Sequence, residues 1–165
     1  MPRRAVTIAV LVVAILFAGR IAAERDDRAP DGVEATVTRV VDGDTVHVEL
    51  DGADETVRYI GVDTPESVKP GAPVECFAKL ASARNAELVD GEEVTLRFDA
   101  ERRDRFGRLL AYVYRGRDGL FVNERLVREG YARTLTVAPN VRHADRFARL
   151  AAEAREAGRG LWRAC

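Results

Sequence analysis

The sequence predicts a mainly β fold with α, a small five-stranded barrel carrying three helices in the order βββ-α-β-β-α-α. Three observations lead there. Short segments that alternate apolar and polar residues crowd residues 33–63, and Asp-Gly pairs punctuate them. The helical patterns come late and never alternate one for one with strands, so hairpin-linked strands closing on themselves fit better than a parallel sheet. A chain of 165 residues, 47% hydrophobic, holds one such core, which excludes a multidomain machine and wholesale disorder.

The elements follow in order. Residues 5–19 form an apolar run behind Pro2-Arg3-Arg4, the basic-then-apolar order of an export signal. At about 1.5 Å per residue the run is roughly 22 Å long, short for a hydrocarbon core of about 30 Å, so residues 1–23 read as a cleaved signal peptide or an N-terminal membrane anchor. A cut after Ala23 would place Ile21, not a small residue, three positions before it. Residues 24–32 are charged and aperiodic at their start, a linker, and residues 33–165 make the domain. There ATVTRVV, TVHVEL and TVRYIGV are three strands, with Asp42-Gly43 and Asp51-Gly52 as turn signals. Val46, Val48 and Leu50 belong to the core face of the second strand, and Thr45, His47 and Glu49 to its wet face. Residues 73–88 set Val74, Phe77, Ala78, Ala81 and Leu88 at helical spacing. Val94, Leu96 and Phe98 mark a fourth strand, and LLAYVYR (109–115) is apolar on both faces, as a strand covered on both sides would be. A helix over roughly 121–129 ends at Gly130, and another starts at Asn140 with Ala144, Phe147, Ala148, Ala151 and Ala154 as its stripe. Together these suit a Greek-key barrel of the OB type.

Charge restricts the function. Arg3, Arg4 and Arg20 precede residue 24 and no acidic residue does, so residues 24–165 carry 23 basic against 27 acidic side chains, a net −4. A polyanionic partner would therefore be held by a local basic patch or a metal, not by overall charge. Two cysteines exclude a disulfide-dense scaffold and a four-cysteine zinc site, leaving one bridge or two free thiols.

Acidic residues gather at turns and strand ends: Asp42 and Asp44 in VDGDTV, Asp63 and Glu66 in VDTPE. Such oxygen ligands suit a hard cation, although each motif alone also reads as turn chemistry. Arg58 stands in an otherwise apolar strand, where a charge needs a partner or a function. Arg108 ends ERRDRFGR (101–108), which holds four arginines against two acids. A pair of guanidiniums fits a phosphoryl group, whereas Arg102 and Arg103 read as solvated. Arg58 and Asp63 are five apart and strict alternation would face them oppositely, so a bulge or bend at Gly61 is expected to bring them to one side.

VDGDTV, an arginine five residues before DTPE, DRFGR running into LLAYVY, and LFVNERLVREGYA resemble the staphylococcal nuclease (thermonuclease) family in sequence and in order, across about residues 33–162. The resemblance implies a five-stranded OB barrel with three helices. It also implies Ca2+-dependent hydrolysis of DNA and RNA phosphodiesters on the 5′-oxygen side, leaving 3′-phosphate ends. By that resemblance Asp44, Asp63 and the Thr64 carbonyl bind the calcium. Glu66 orients or deprotonates the attacking water, and Arg58 and Arg108 grip the scissile phosphate. Asp42, Asp104 and Asn123 support the site, and Arg105 adds a substrate contact. Phe106 stands where family members often have tyrosine, and Thr134 to Pro139 lacks aromatics expected to line a nucleotide pocket. His47 and His143 have no metal-ligand spacing and read as solvated or structural. Cys76 and Cys165 could close a bridge around most of the domain, worth roughly 4 to 5 kcal/mol in the chain-entropy model.

The expectation is an exported nuclease, secreted or membrane-anchored with the domain outside. It acts as a monomer on DNA and RNA, preferably single-stranded. The alternative is a noncatalytic OB-fold module that binds nucleic acid or protein, against which the joint presence of Asp44, Arg58, Asp63, Glu66 and Arg108 argues.

Overall fold

The computed structural model describes residues 32–66 and 73–165. The expected signal peptide or anchor at 1–23, and the linker up to Asp31, lie outside the described residues. Among the described residues no helix is long and apolar enough to cross a membrane.

Strands β1 (Val33–Val40), β2 (Thr45–Leu50) and β3 (Ala53–Tyr59) form the expected meander. Asp51 and Gly52, both at positive φ, turn β2 into β3 between the paired Leu50 and Ala53. The chain then makes β4 (Gly61–Asp63), α1 (Ala78–Val89), β5 (Glu93–Arg97) and β6 (Leu109–Arg115). It ends in α2 (Val122–Arg128), β7 (Arg133–Leu135), α3 (Ala144–Glu156) and α4 (Leu161–Ala164). Five strands close into a barrel in the order β1-β2-β3-β6-β5, and β4 with β7 makes a separate two-stranded sheet. The closure includes one parallel pair, β3 with β6, while the other pairs are antiparallel. A register shift between Val37 and Arg39 adds local twist to β1, which helps a small sheet curl.

Inward residues of all five strands fill the barrel: Val37, Val46, Val48, Val57, Val94, Leu96 and Val113 are essentially inaccessible. Strand β6 is buried on both faces as its composition predicts, and Tyr112 on it meets Phe121, His143 and Phe147 edge to face.

The structure corrects several boundaries. The third strand breaks at Ile60 because Gly61 takes φ +80, a conformation open to glycine. A Cβ there would meet the Phe147 ring at 2.6 Å, so the bend also seats α3 against the strand. Helix α1 starts at Ala78, not at residue 73: Phe77 is left-handed at φ 72, and Val74 is exposed. Helix α3 starts at Ala144 and buries Phe147, Leu150 and Ala154, so Ala148 faces outward and Leu150 takes its place. Thr45, expected on the wet face, is buried.

Candidate functional site

The turn between β1 and β2 delivers the first carboxylate. Gly43 allows this because a Cβ there would lie 2.7 Å from the Thr64 side chain, so only glycine lets the Asp42–Asp44 turn press against the strand carrying Asp63. Asp42 Oδ1 accepts the Asp44 N–H at 3.0 Å. Asp44 is 4% exposed. Its Oδ2 accepts the Thr64 N–H at 2.7 Å and the Thr64 hydroxyl at 3.0 Å, and its Oδ1 accepts the Thr45 hydroxyl at 3.1 Å. Burial pushes the Asp44 carboxyl up to about 6, against the pull of Arg58 and with a push from Asp42.

Arg58 lies opposite Thr45 in the β2–β3 ladder, beside that carboxylate. Its guanidinium spans two acids, 3.0 Å from Asp44 Oδ1 and 3.2 Å from Asp63 Oδ1, and donates to the Val62 carbonyl at 2.9 Å. The turn at Gly61 is what makes this span available, since Asp63 lies beyond it. Arg58 is mostly buried, whereas the Asp63 side chain is 51% exposed and presents its carboxylate to solvent. Glu66 follows two residues after Thr64, half-buried; its N–H donates to Glu75 Oε2 at 3.2 Å, and its carbonyl accepts the Glu75 N–H at 3.0 Å.

The second arginine is built by its own loop. Asp104 Oδ2 accepts Arg108 Nε at 2.7 Å while its Oδ1 accepts the N–H groups of Phe106 and Arg108. Burial pulls the Asp104 carboxyl up, but these donors outweigh it and hold it below its ordinary value. Phe106, 69% exposed, projects between Arg105 and Arg108, whose guanidiniums lie 4.7 and 5.5 Å from its ring. Arg103, read as solvated, instead forms a two-pronged bond to Glu55 on β3 and donates to the Gly107 carbonyl, fastening the loop to the barrel. Arg102 lies over Phe98.

Arg58 and Arg108 line one cleft of about 440 Å³, together with Asp104, Arg105, Phe106, Leu135 and Val137. The cleft wall at 134–139 is aliphatic, as the composition implies. Asp44, Asp63 and the Thr64 carbonyl offer oxygen donors only, the chemistry of a hard cation. Among the described residues no three His, Cys, Asp or Glu side chains converge as a metal-holding group, so such an ion would complete its shell with carbonyl and water.

Asn123 is fully buried, accepting the Val113 N–H at 2.9 Å and donating to the Ile60 carbonyl at 2.9 Å, so it braces the corner where β3 gives way to β4. His47 bonds to Asp54 at 3.0 Å on the surface, and His143 packs among aromatic rings. Cys76 and Cys165 are joined by a disulfide.

Sequence reasoning missed two supporting amides. Asn85 of α1, fully buried, accepts the Tyr59 hydroxyl at 3.0 Å and donates to the Asp42 carbonyl at 2.9 Å, tying the acidic turn to the barrel. Asn140 clasps both backbone groups of Glu101 and anchors the arginine loop. The signal for Asn85 was its position on the apolar stripe between Ala81 and Leu88, where a polar residue requires a partner.

Known proteins are similar to this chain in sequence. The endonuclease YokF of the SPbeta prophage in Bacillus subtilis is 45% identical over 132 residues, covering 79% of this chain and 44% of YokF. The thermonuclease of Staphylococcus hyicus is 40% identical over 126 residues, 76% of this chain and 73% of that protein. The endonuclease YncB of B. subtilis is 45% identical over 132 residues, covering 79% of this chain and 62% of YncB. The chain thus spans less than two thirds of the two B. subtilis relatives. Residues 56–164 match the family described as staphylococcal nuclease homologue, which takes in Arg58, the acidic strand end, the arginine loop and the three longer helices, and the chain belongs to that family.

Proposed function

We propose that the protein is an exported, calcium-dependent nuclease that hydrolyses phosphodiester bonds of DNA and RNA, single strands in preference. It breaks the bond on the 5′-oxygen side and leaves 3′-phosphate ends. One observation carries this reading: Arg58 pairs with the two carboxylates suited to a cation and, with Arg108, lines a single cleft. Family membership and the names of the relatives support the nuclease class.

Asp44, Asp63 and the Thr64 carbonyl would hold Ca2+, which when bound offsets phosphate charge and lowers the pKa of water. Arg58 and Arg108 grip the scissile phosphate and stabilise the charge that grows on its oxygens. Glu66 orients the attacking water and accepts its proton as the water oxygen bonds to phosphorus. The bond to the 5′-oxygen breaks; Arg108 steadies the leaving oxygen, which takes its proton from solvent. Exposed Phe106, Leu135 and Val137 favour unstacked bases, hence single strands. The run at residues 5–19 supports export, with the domain released or held outside the membrane, and the disulfide suits an oxidising compartment. The protein acts as a monomer in this reading.

The test is release of acid-soluble nucleotides from heat-denatured DNA by the full chain, with calcium and with chelator. Wild type is expected to act only with calcium, and Glu66→Gln and Arg108→Ala to lose about 10²–10⁴-fold and 10²–10³-fold in rate. A folded protein that binds single strands without cleaving them would replace the enzyme by the OB binding module.

A further inference from the structure

Outside the cleft already described lies a second one of about 340 Å³, between Arg133 and Thr134 of β7, Arg155 and the alanines of α3, and Trp162 of α4. Two guanidiniums attend its indole: the Arg155 Cζ is 4.5 Å and the Arg133 Cζ 5.8 Å from the Trp162 ring. Arg84, Arg103, Arg108 and Arg115 each bond to a carboxylate. Among the described residues Arg133 and Arg155 have only the indole. The Trp162 Nε1 is buried without a hydrogen-bond partner. In a domain of net negative charge, two uncompensated guanidiniums beside a cavity form a local site for an anion.

The second cleft adjoins the first through β7. Leu135 lines the first cleft while its neighbours Thr134 and Arg133 line the second. Arg133 lies directly opposite Asp63 in the β4–β7 ladder. A strand whose scissile phosphate sits between Arg58 and Arg108 must pass its neighbouring nucleotides along one wall or another, and OB-fold sites take about 4–16 nucleotides. Among the described residues this wall offers two guanidiniums that no carboxylate answers, in line with Arg105 of the first cleft, which also has only a ring beside it.

We propose that the Arg133–Trp162–Arg155 cleft is an accessory subsite for the substrate strand, in which the two arginines hold backbone phosphates beyond the scissile bond and the indole and alanines form an apolar floor. The ligand is single-stranded nucleic acid, and its identity rests on the nuclease reading above. The subsite acts on long substrates and leaves bond cleavage to the first cleft.

The experiment compares full-length wild type with R133A/R155A in two assays: anisotropy binding of a fluorescent 16-nucleotide single strand over a salt series, and turnover of a mononucleotide nitrophenyl diester. The double variant is expected to bind the 16-mer about tenfold more weakly at low salt, with a log–log salt slope shallower by about one to two. Turnover of the short diester is expected to stay unchanged. Unaltered 16-mer affinity and slope overturn the subsite. An equal loss on the short diester also overturns it, because the arginines would then act by supporting the first cleft. Should the double variant melt early, Arg155→Gln on the exposed end of α3 carries the same test with a slope change of about one. Wild type that binds the 16-mer but cleaves neither substrate sinks the nuclease reading while the binding assay still decides the subsite; wild type that does not bind the 16-mer sinks the subsite.

Discussion

Burying the Asp44 carboxylate opposes folding, because its protonated form is favoured in the native state up to about pH 6. An unfolded carboxyl titrates near its ordinary value of 3.8, so stability falls as pH rises from there through about 6, and stays lower above. Asp44→Asn removes that dependence. In chelator the variant is expected to melt above wild type at pH 8, with the difference closing toward pH 4, while nuclease activity is lost. Calcium should raise the melting temperature of wild type and not of the variant, since a ligand stabilises only the state that binds it. A variant that melts lower than wild type at pH 8 would refute this account. Asn85→Ala should cost about 1–3 kcal/mol, measured by urea denaturation, because the Tyr59 hydroxyl and Asp42 carbonyl lose their partner in the interior. The acids and arginines were legible in the sequence because hard-cation and phosphate chemistry admits few residue types. The roles of Asn85 and Asn140 were not, because they are fixed by the distant hydroxyl and backbone groups that the fold brings to them, even though the apolar stripe around Asn85 calls for some partner.

The corner between β3 and β4 is the element on which the site turns. Gly61→Ala would force φ +80 on a residue with a Cβ and drive that Cβ into Phe147. A loss of about 1–3 kcal/mol in unfolding free energy is expected from the backbone alone, with cleavage falling as Asp63 leaves Arg58. An unchanged denaturation midpoint would count against the corner's role. Four barrel strands could be read from alternation and turn residues, β6 from its continuous apolar run, and the bend at Gly61 from the charge pattern around it. Strand β7 could not: its three residues are all exposed, so no alternation marks it. Helix α1 was drawn too long because Val74 continues the apolar spacing while the left-handed Phe77 stops the helix. Closure through the parallel β3–β6 pair joins residues about fifty apart, a contact that no local pattern encodes.

At the scale of the whole molecule, a net acidic domain lines two adjoining clefts with arginines, Arg58, Arg105 and Arg108 in one and Arg133 and Arg155 in the other. Calcium-free protein should therefore bind single strands weakly and lose that binding steeply with salt; strong binding in chelator at ordinary ionic strength would contradict this. The disulfide spans 89 positions, so in the chain-entropy model its loss removes about 4–5 kcal/mol from the native state's advantage. Reduction should lower the melting temperature markedly, and an unchanged transition would place the domain's stability in the barrel alone.

That bridge also makes residues 76–165 a covalent ring holding Arg108, β7 and all four helices, while β1 to β4 hang from it as a tail. A protease that cuts the exposed turn at Arg117-Asp118 opens the ring without releasing a piece. Nicked protein is then one molecule on a non-reducing gel and two fragments on a reducing one. Both arginine clefts stay on one covalent body, so a single cut in that turn leaves them joined.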